Sequence, residues 1–302
     1  MQAKPFLKWA GGKSRIISEI EKLIPQNFKN EKITYIEPFV GGGSVLFWIL
    51  NNYPNLQKII INDINIDLIN TYKVIKQSPK KLITFLKTYQ EKYYCFENDS
   101  EGRKVYYIEQ RNLFNSRKSD NIVQAALFIF LNRTCFNGLY RVNKKNEFNV
   151  PIGSYNKPLI CDEENLLNVS RTLKNVKILS GDYRETLKYT EEKTLFYLDP
   201  PYKPINKVPS FNYTHTTFND FEQIRLRDFC KELDFKKCNW ILSNSDVKTM
   251  ENEDHFFDDL YSDYEINRVI VKRFINNNSK KKQLKELLIA NKIAEEVLLV
   301  HN

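Results

Sequence analysis

Glycine is scarce in this 302-residue chain, with 9 in all, and methionine scarcer still, with 2. Five of the glycines fall in two clusters, Gly11-Gly12 and Gly41-Gly42-Gly43. A chain that avoids glycine elsewhere needs it there for tight turns or for close approach of backbone to a ligand. Histidine occurs 3 times (His215, His255, His301) and without metal-ligand spacing. The 5 cysteines (Cys95, Cys135, Cys161, Cys230, Cys238) are odd in number and form no CxxC pair. That excludes a disulfide framework and a zinc site, and the thiols read as reduced packing groups of a cytosolic protein. No apolar run approaches the roughly 18 residues of a membrane span; the longest is Ala125–Leu131. Lys4 and Pro5 interrupt any signal-peptide core. The expectation is a cytoplasmic protein, nucleoid-associated if it binds DNA, with no membrane partner and no metal.

What is present is a core and a positive charge. Hydrophobic residues make up 42% and aromatics 13%, which argues against disorder. Lys plus Arg number 46 against 37 acidic residues, a net charge of +9. This favours a polyanionic partner, although an AT-rich coding bias also enriches Lys and Asn. Short runs rich in Ile, Val and Tyr read as buried strands: Thr34–Pro38, Lys58–Asp63, Val176–Gly181, Thr194–Asp199, Asn239–Ser243, Ile266–Phe274 and Lys285–Ala290. Helical patterns lie between most of them, including Gly43–Asn52, Asp67–Gln77 and Asp220–Leu233. Such alternation predicts an α/β fold with a mostly parallel sheet, its last two strands pairing as an antiparallel hairpin. The alternation fails from about Tyr72 to Ser170. Helical patterns at Pro79–Tyr94, Val105–Ser116 and Ile122–Leu131 precede a polar, aromatic stretch from Asn132 to Pro158. We read 72–170 as a helical insertion in a discontinuous domain formed by 1–71 and 171–302.

Four motifs carry chemistry. Thr34–Ser44 runs a strand into a glycine turn that opens a helix, the geometry of a nucleotide-binding turn; Gly41 and Gly43 fit GxGxxG, but Leu46 replaces the third glycine. Asp63 ends the next strand, where a carboxylate receives ribose hydroxyls; a helix N-cap is the other reading. In Phe6–Ser14, Gly-Lys-Ser resembles the end of a Walker A loop, but Leu7 stands where its first glycine belongs, so an ATP loop is excluded. Trp9 and Lys13 either clamp a ligand or belong to an arm that caps a helix. The sharpest signal is Asp199-Pro200-Pro201-Tyr202 at a strand's carboxyl end. The prolines stop strand pairing and lack N–H donors, so their carbonyls point outward uncontested. With the Asp199 carboxylate and the flat face of Tyr202, they suit an exocyclic amine on a planar ring. The amine donates to Asp199 and to a proline carbonyl, which frees its lone pair for attack.

Phe6–Lys13, Glu37–Ser44, Asp199–Tyr202 and Ser243–Asp246, in this order, resemble the Dam-like DNA adenine-N6 methyltransferases of the α-group over nearly the whole chain. Phe136–Arg141 and Phe148–Pro151 add to the likeness. The resemblance implies a Rossmann-like methyltransferase sheet with a helical target-recognition domain inserted at 72–170. It implies S-adenosyl-L-methionine as cofactor, contacted by Trp9, Lys13 and a turn containing Glu37, Phe39, Gly41 and Gly43. Asp63 would hold the ribose, Asp182 and Tyr183 would bracket the cofactor adenine, and Asp199 would serve both ligands. The partner would be double-stranded DNA, methylated at adenine N6, with GATC the expected site and a separate restriction endonuclease a possible companion. Because that nitrogen is paired in a duplex, the base must be flipped out, at a cost of a few kcal/mol. Tyr202 would stack on it, with Phe211 and Tyr213 closing over it. The Phe136–Arg141 and Phe148–Pro151 hairpin would enter the major groove, Arg141 reading a guanine, Leu139 and Pro151 touching a thymine methyl, and Phe136 and Asn137 filling space near the vacated stack; Lys144 and Lys145 would reach phosphates. Ser154 departs from the basic residue some members carry, which removes one phosphate interaction. Lys280–Lys282 either touches DNA or solvates a loop. Two rivals remain: a methyltransferase acting on an RNA adenine or a glutamine side chain, and a catalytically inactive DNA-binding regulator. Glutamine-modifying relatives generally show Asn-Pro-Pro-Tyr, whereas Asp199 stands here, and a mere binder needs neither Asp199–Tyr202 nor an intact cofactor turn.

Overall fold

A computed structural model describes residues 2–203, 218–248, 254–272 and 283–291. The first sheet elements are β1 (Ile33–Glu37), α2 (Ser44–Asn52), β2 (Leu56–Ile61) and α3 (Ile66–Gln77), preceded by a short α1 (Ile17–Lys22). The helices α4 (Pro79–Tyr94), α5 (Ser100–Ser116), α6 (Asn121–Thr134) and α7 (Glu163–Thr172) follow. The chain then returns to the sheet with β3 (Val176–Ile178), β4 (Thr194–Leu198), α8 (Asp220–Phe235) and β5 (Asn239–Ser245). It ends, within the described residues, with α9 (Phe256–Leu260), β6 (Glu265–Lys272) and β7 (Gln283–Ala290).

Seven strands form one sheet in the order β3-β2-β1-β4-β5-β7-β6. The first five are parallel, and β7 pairs antiparallel with both β5 and β6. This is the mostly parallel, Rossmann-like sheet that the alternation predicts, with antiparallel strands at its C-terminal side. The hairpin pairing of the last two strands was legible, but the insertion of β7 between β5 and β6 was not.

Every residue of β1 and β4 is buried, as apolar strands covered on both faces must be. Successive side chains feed opposite cores. Tyr35, Leu195 and Tyr197 join one cluster, which also holds Leu127, Phe128 and Phe130 of α6. Ile36, Phe196 and Leu198 join the other, against Leu226, Phe229 and Leu233 of α8. The inserted helices therefore share a continuous core with one face of the sheet. The expected junctions at 71/72 and 170/171 lie inside α3 and α7, both of which pack against the inserted helices. Helix α7, capped by Asp162, was not among the helical patterns read from the sequence.

The strand order reverses between β1 and β4, which makes the crevice beyond their carboxyl ends the expected ligand site of an open α/β sheet. Glu37–Gly43 and Asp199–Tyr202 leave the sheet there side by side, because Tyr35 pairs with Leu195 and Ile36 with Phe196. Among the described residues no helix is long and apolar enough to cross a membrane, and no cluster of three or more His, Cys, Asp or Glu could hold a metal.

Candidate active site

The turn after β1 is built to let neighbouring side chains approach closely. Gly43 caps α2 in the left-handed region at φ 74°. A Cβ there would stand 2.5 Å from the Tyr72 hydroxyl, which itself donates to the Gly41 carbonyl at 3.1 Å. Gly43→Ala is therefore expected to destabilise the fold by about 1–3 kcal/mol, read as a lower urea midpoint. Gly41 and Gly42 have no room for a Cβ because Trp9 lies on them, 2.8 and 2.7 Å from where it would be. On its other side Trp9 stacks on Tyr140, with ring centroids 5.8 Å apart. The N-terminal arm is thus wedged between the glycine turn and the insertion. Asn132 of α6 secures it, accepting from Lys8 N at 2.9 Å and donating to the carbonyls of Lys8 and Gly138 at 2.8 and 2.9 Å.

Asp63 holds the turn from β2. Its carboxylate accepts from Gly41 N at 3.0 Å and from Asn65 N at 2.9 Å. Asn65, not Asp63, caps α3. Asp63 is partly exposed and a carboxylate offers about four acceptor positions, so capacity for hydroxyl groups is retained. Ile64 beside it is 53% exposed, an apolar surface at the mouth of the crevice that was not read from the sequence. Asn62 ties the neighbouring loops together by donating to the carbonyls of Pro38 and Gly181 at 3.1 and 2.9 Å. Asp182 accepts from Arg225 at 2.7 Å, and the same guanidinium lies 5.2 Å from the centre of the Tyr183 ring. Phe39 packs on Tyr183 at 5.1 Å and on Phe218 at 6.0 Å.

At the end of β4 the Lys13 ammonium lies 2.8 Å from Asp199, donates to the Gly11 carbonyl at 2.5 Å and sits 4.8 Å from the centre of the Tyr202 ring. Lys13 is 2% exposed, so the charge is held by these partners rather than by water. Pro200 is buried and Pro201 exposed. The prolines depart from expectation in one respect: Gln223 of α8 donates to the Pro201 carbonyl at 3.2 Å. Among the described residues the Pro200 carbonyl has no corresponding side-chain bond. Asn244 of the Ser243–Asp246 motif bonds both Gln223 and Lys203 N at 3.2 Å, which locks the turn to β5. Tyr202 donates its hydroxyl to Glu286 of β7 at 3.0 Å. Gln223 and Glu286 were missed; the available signal for the latter was a carboxylate inside the predicted strand Lys285–Ala290.

The crevice is rich in carboxylates. Burial pushes Asp199 up to about 6 against the opposing Lys13 charge. Burial also raises Glu37 well above the usual carboxylate range, and Asp199 adds to the rise while the Tyr35 hydroxyl, donating at 2.6 Å, offsets part of it. Burial raises Asp63 too, against the N–H groups of Asn65 and Gly41. Such a set gains from a ligand that brings positive charge. Space exists beside it, since a Cβ on Gly181 would meet nothing within 4 Å, and the Tyr183 hydroxyl is buried without a partner among the described residues.

The expected DNA-contacting residues form a second group on the insertion. Bridges between Cys135 and Ile152 and between Val142 and Phe148 fold the segment back on itself. Phe136, Asn137, Lys144, Lys145 and Pro151 are exposed, and Leu139 and Arg141 are partly so. Phe136 N donates to the Pro151 carbonyl at 2.9 Å, joining two of them. Arg141 donates from Nε to Asn149 Oδ1 at 2.7 Å and from one terminal nitrogen to the Asn149 carbonyl at 3.2 Å. Asn115 of α5 holds the same strand of the loop through Phe148 N and O, at 2.8 and 3.0 Å. Phe211, Tyr213 and Lys280–Lys282 lie outside the described residues.

Comparison with known proteins adds the family. The model of the D12 class N6 adenine-specific DNA methyltransferases matches residues 9–275. The chain is 49% identical over 297 residues to the Type II methyltransferase M.MjaIII of Methanocaldococcus jannaschii, covering 96% of this chain and 100% of that protein. It is 35% identical over 295 residues to the Type II methyltransferase M1.LlaDCHI of Lactococcus lactis subsp. cremoris, covering 95% of each. It is 34% identical over 291 residues to a DNA adenine methylase of Haemophilus influenzae, covering 95% of this chain and 93% of that one. With its proline-flanked carboxylate at the sheet's switch point, the chain belongs to the D12 class of N6 adenine-specific DNA methyltransferases, enzymes that methylate adenine in DNA.

Proposed function

We propose that the chain methylates adenine N6 in double-stranded DNA at GATC, taking the methyl group from S-adenosyl-L-methionine and flipping the target base out of the duplex. The observation that carries this reading is the grouping of Asp199, the Pro200 carbonyl and the Tyr202 ring at the carboxyl end of β4. Residues facing the glycine turn fit the cofactor: Asp63 for ribose hydroxyls, Ile64 and Tyr183 for a flat ring, Glu37 and Asp199 for positive charge. When bound, the cofactor supplies an electrophilic methyl group on a sulfonium. Asp199 and the Pro200 carbonyl each accept one N–H of the target amine and turn its lone pair toward that methyl carbon. As the nitrogen bonds the methyl carbon the carbon–sulfur bond breaks and the nitrogen becomes positive; both acceptors then bind it more strongly than they bound the neutral amine, and its extra proton leaves through Asp199 to water. Tyr202 returns about 1–3 kcal/mol of the unstacking cost by stacking on the flipped ring. Lys13 holds one oxygen of Asp199, and the other oxygen keeps acceptor positions for the amine.

We further propose that 72–170 acts as the target-recognition unit. Asn149 occupies one edge of the Arg141 guanidinium, and the opposite edge then has two parallel donors for the O6 and N7 of a guanine. Lys144 and Lys145, exposed at the tip, suit phosphates. A companion restriction endonuclease acting on the same site fits the Type II naming of two relatives.

Transfer of labelled methyl from S-adenosyl-L-methionine into duplexes that contain GATC, or that differ from it at one base pair, tests the reading. Label confined to GATC adenines is the expected result; label in another sequence or in RNA would overturn the assignment of target. A pH profile gives a second check. Asp199 must be ionised to accept the amine, so kcat/KM is expected to fall as pH drops through about 6. Lys13→Met removes the charge that opposes the rise in Asp199 and is expected to move this acidic limb to higher pH.

A further inference from the structure

The pairing of β7 with β5 sets Glu286 opposite Ser245, at the carboxyl end of the sheet. Glu286 is 7% exposed, and its neighbours Leu287, Leu288 and Ile289 are buried core residues. A carboxylate in such a strand is costly unless polar partners compensate it. It accepts a hydrogen bond from the Tyr202 hydroxyl, 3.0 Å away. The Tyr202 ring in turn lies 4.8 Å from the ammonium that Asp199 holds.

We propose that Glu286 is a positioning residue for methyl transfer, fixing the Tyr202 ring through its hydroxyl and adding negative charge behind the site where the target amine becomes positive. This rests on the reading above, in which Tyr202 stacks on the flipped base. Phenol rings rotate and tilt readily about χ1 and χ2, and a stacking face is useful only in one plane. A charge-assisted bond at the hydroxyl removes that freedom, since it is stronger than a neutral one. The second effect is electrostatic. Glu286 is one of the charges that Asp199 feels, along with Lys13 of the arm, and its effect on Asp199 is upward. Glu37 and Tyr35 of β1, Tyr197 of β4 and Tyr202 itself also face Asp199.

Three variants separate the two effects. Glu286→Gln keeps an acceptor for Tyr202 but removes the charge. Its kcat is expected to fall, its KM for duplex to stay near wild type, and the acidic limb of its pH profile to move to lower pH. Glu286→Ala removes both, and kcat is expected to fall by about tenfold or more. Tyr202→Phe keeps the ring and loses only the tether, so kcat falls with no downward shift of the limb. Thermal midpoints measured alongside distinguish these effects from unfolding, with the isosteric glutamine the variant on which the proposal stands. Wild-type kcat and an unmoved limb in Glu286→Gln, together with wild-type kcat in Tyr202→Phe, would overturn it. The wild-type enzyme serves as the separate check on the underlying reading: if it does not methylate adenine in duplex DNA, that reading fails first and independently of Glu286.

Discussion

Asp199→Asn is expected to reduce kcat by about 10²- to 10³-fold while leaving duplex affinity within a few-fold of wild type. The substitution is isosteric, so the turn locked by Gln223 and Asn244 keeps its shape. The variant lacks the charged acceptor whose bond to the amine strengthens as the nitrogen becomes positive. On the proposed reading, binding of the duplex depends on the insertion and on interactions with phosphates, which the change does not touch. Asp199→Ala is a less clean test. Both variants take the counter-charge from the Lys13 ammonium, 2% exposed, but alanine also removes the acceptor oxygen that asparagine keeps, so the buried charge is left with less compensation and a stability cost of about 3–5 kcal/mol is expected. Single-turnover rates with saturating duplex, set beside equilibrium binding of the same duplex, make the comparison. Near-normal turnover in Asp199→Asn would remove the chemical role assigned to this carboxylate.

Arg141→Ala is expected to cost about 1–3 kcal/mol of discrimination at one base pair, roughly a 5- to 150-fold narrowing of the kcat/KM ratio between the preferred base and its replacement. Turnover on the weakened substrate should persist, because Arg141 lies on the insertion and not among the groups at the end of β4. Asn149→Ala should reduce discrimination in the same way but by less. It removes the Oδ1 acceptor at 2.7 Å but leaves the main-chain carbonyl at 3.2 Å to hold the guanidinium. Neutralising Lys144 and Lys145 should behave differently, weakening every sequence alike and lowering the salt slope by about 1 for each phosphate no longer paired with a lysine. A set of duplexes changed at single positions, assayed at several salt concentrations, distinguishes base reading from phosphate binding. Uniform weakening in Arg141→Ala would show that this arginine does not read a base.

Much of the framework was visible in residue patterns because those patterns are local. A fully buried parallel strand needs a mainly apolar run, and Thr34–Glu37 and Thr194–Leu198 are apolar but for residues at their ends. Helix α4 matched its predicted bounds, Pro79–Tyr94, since proline at its first position and a clear apolar face mark it. Helix α7 escaped notice because its apolar residues Leu166 and Val169 stand among polar ones whose packing partners lie on α3 and α4. The end of β3 was read too long: strand structure stops at Ile178, and Gly181 turns the chain away.

The site divides in the same way. Each motif announced itself in contiguous residues: glycines where a turn admits no Cβ, prolines where pairing must stop, a carboxylate at a strand end. Residue order alone was therefore enough to mark the segments that meet at the candidate site. Through the alternation of strands and helices, it also placed their strand ends along one edge of a sheet. Which side chains meet across that edge depends on the folded whole. Lys13 reaches Asp199, Gln223 takes the Pro201 carbonyl, and Glu286 receives the Tyr202 hydroxyl across 84 residues of chain. These pairings follow from strand order and from the antiparallel register of β7 beside β5. Both are selected by the burial of two cores at once, and no short stretch of residues encodes them.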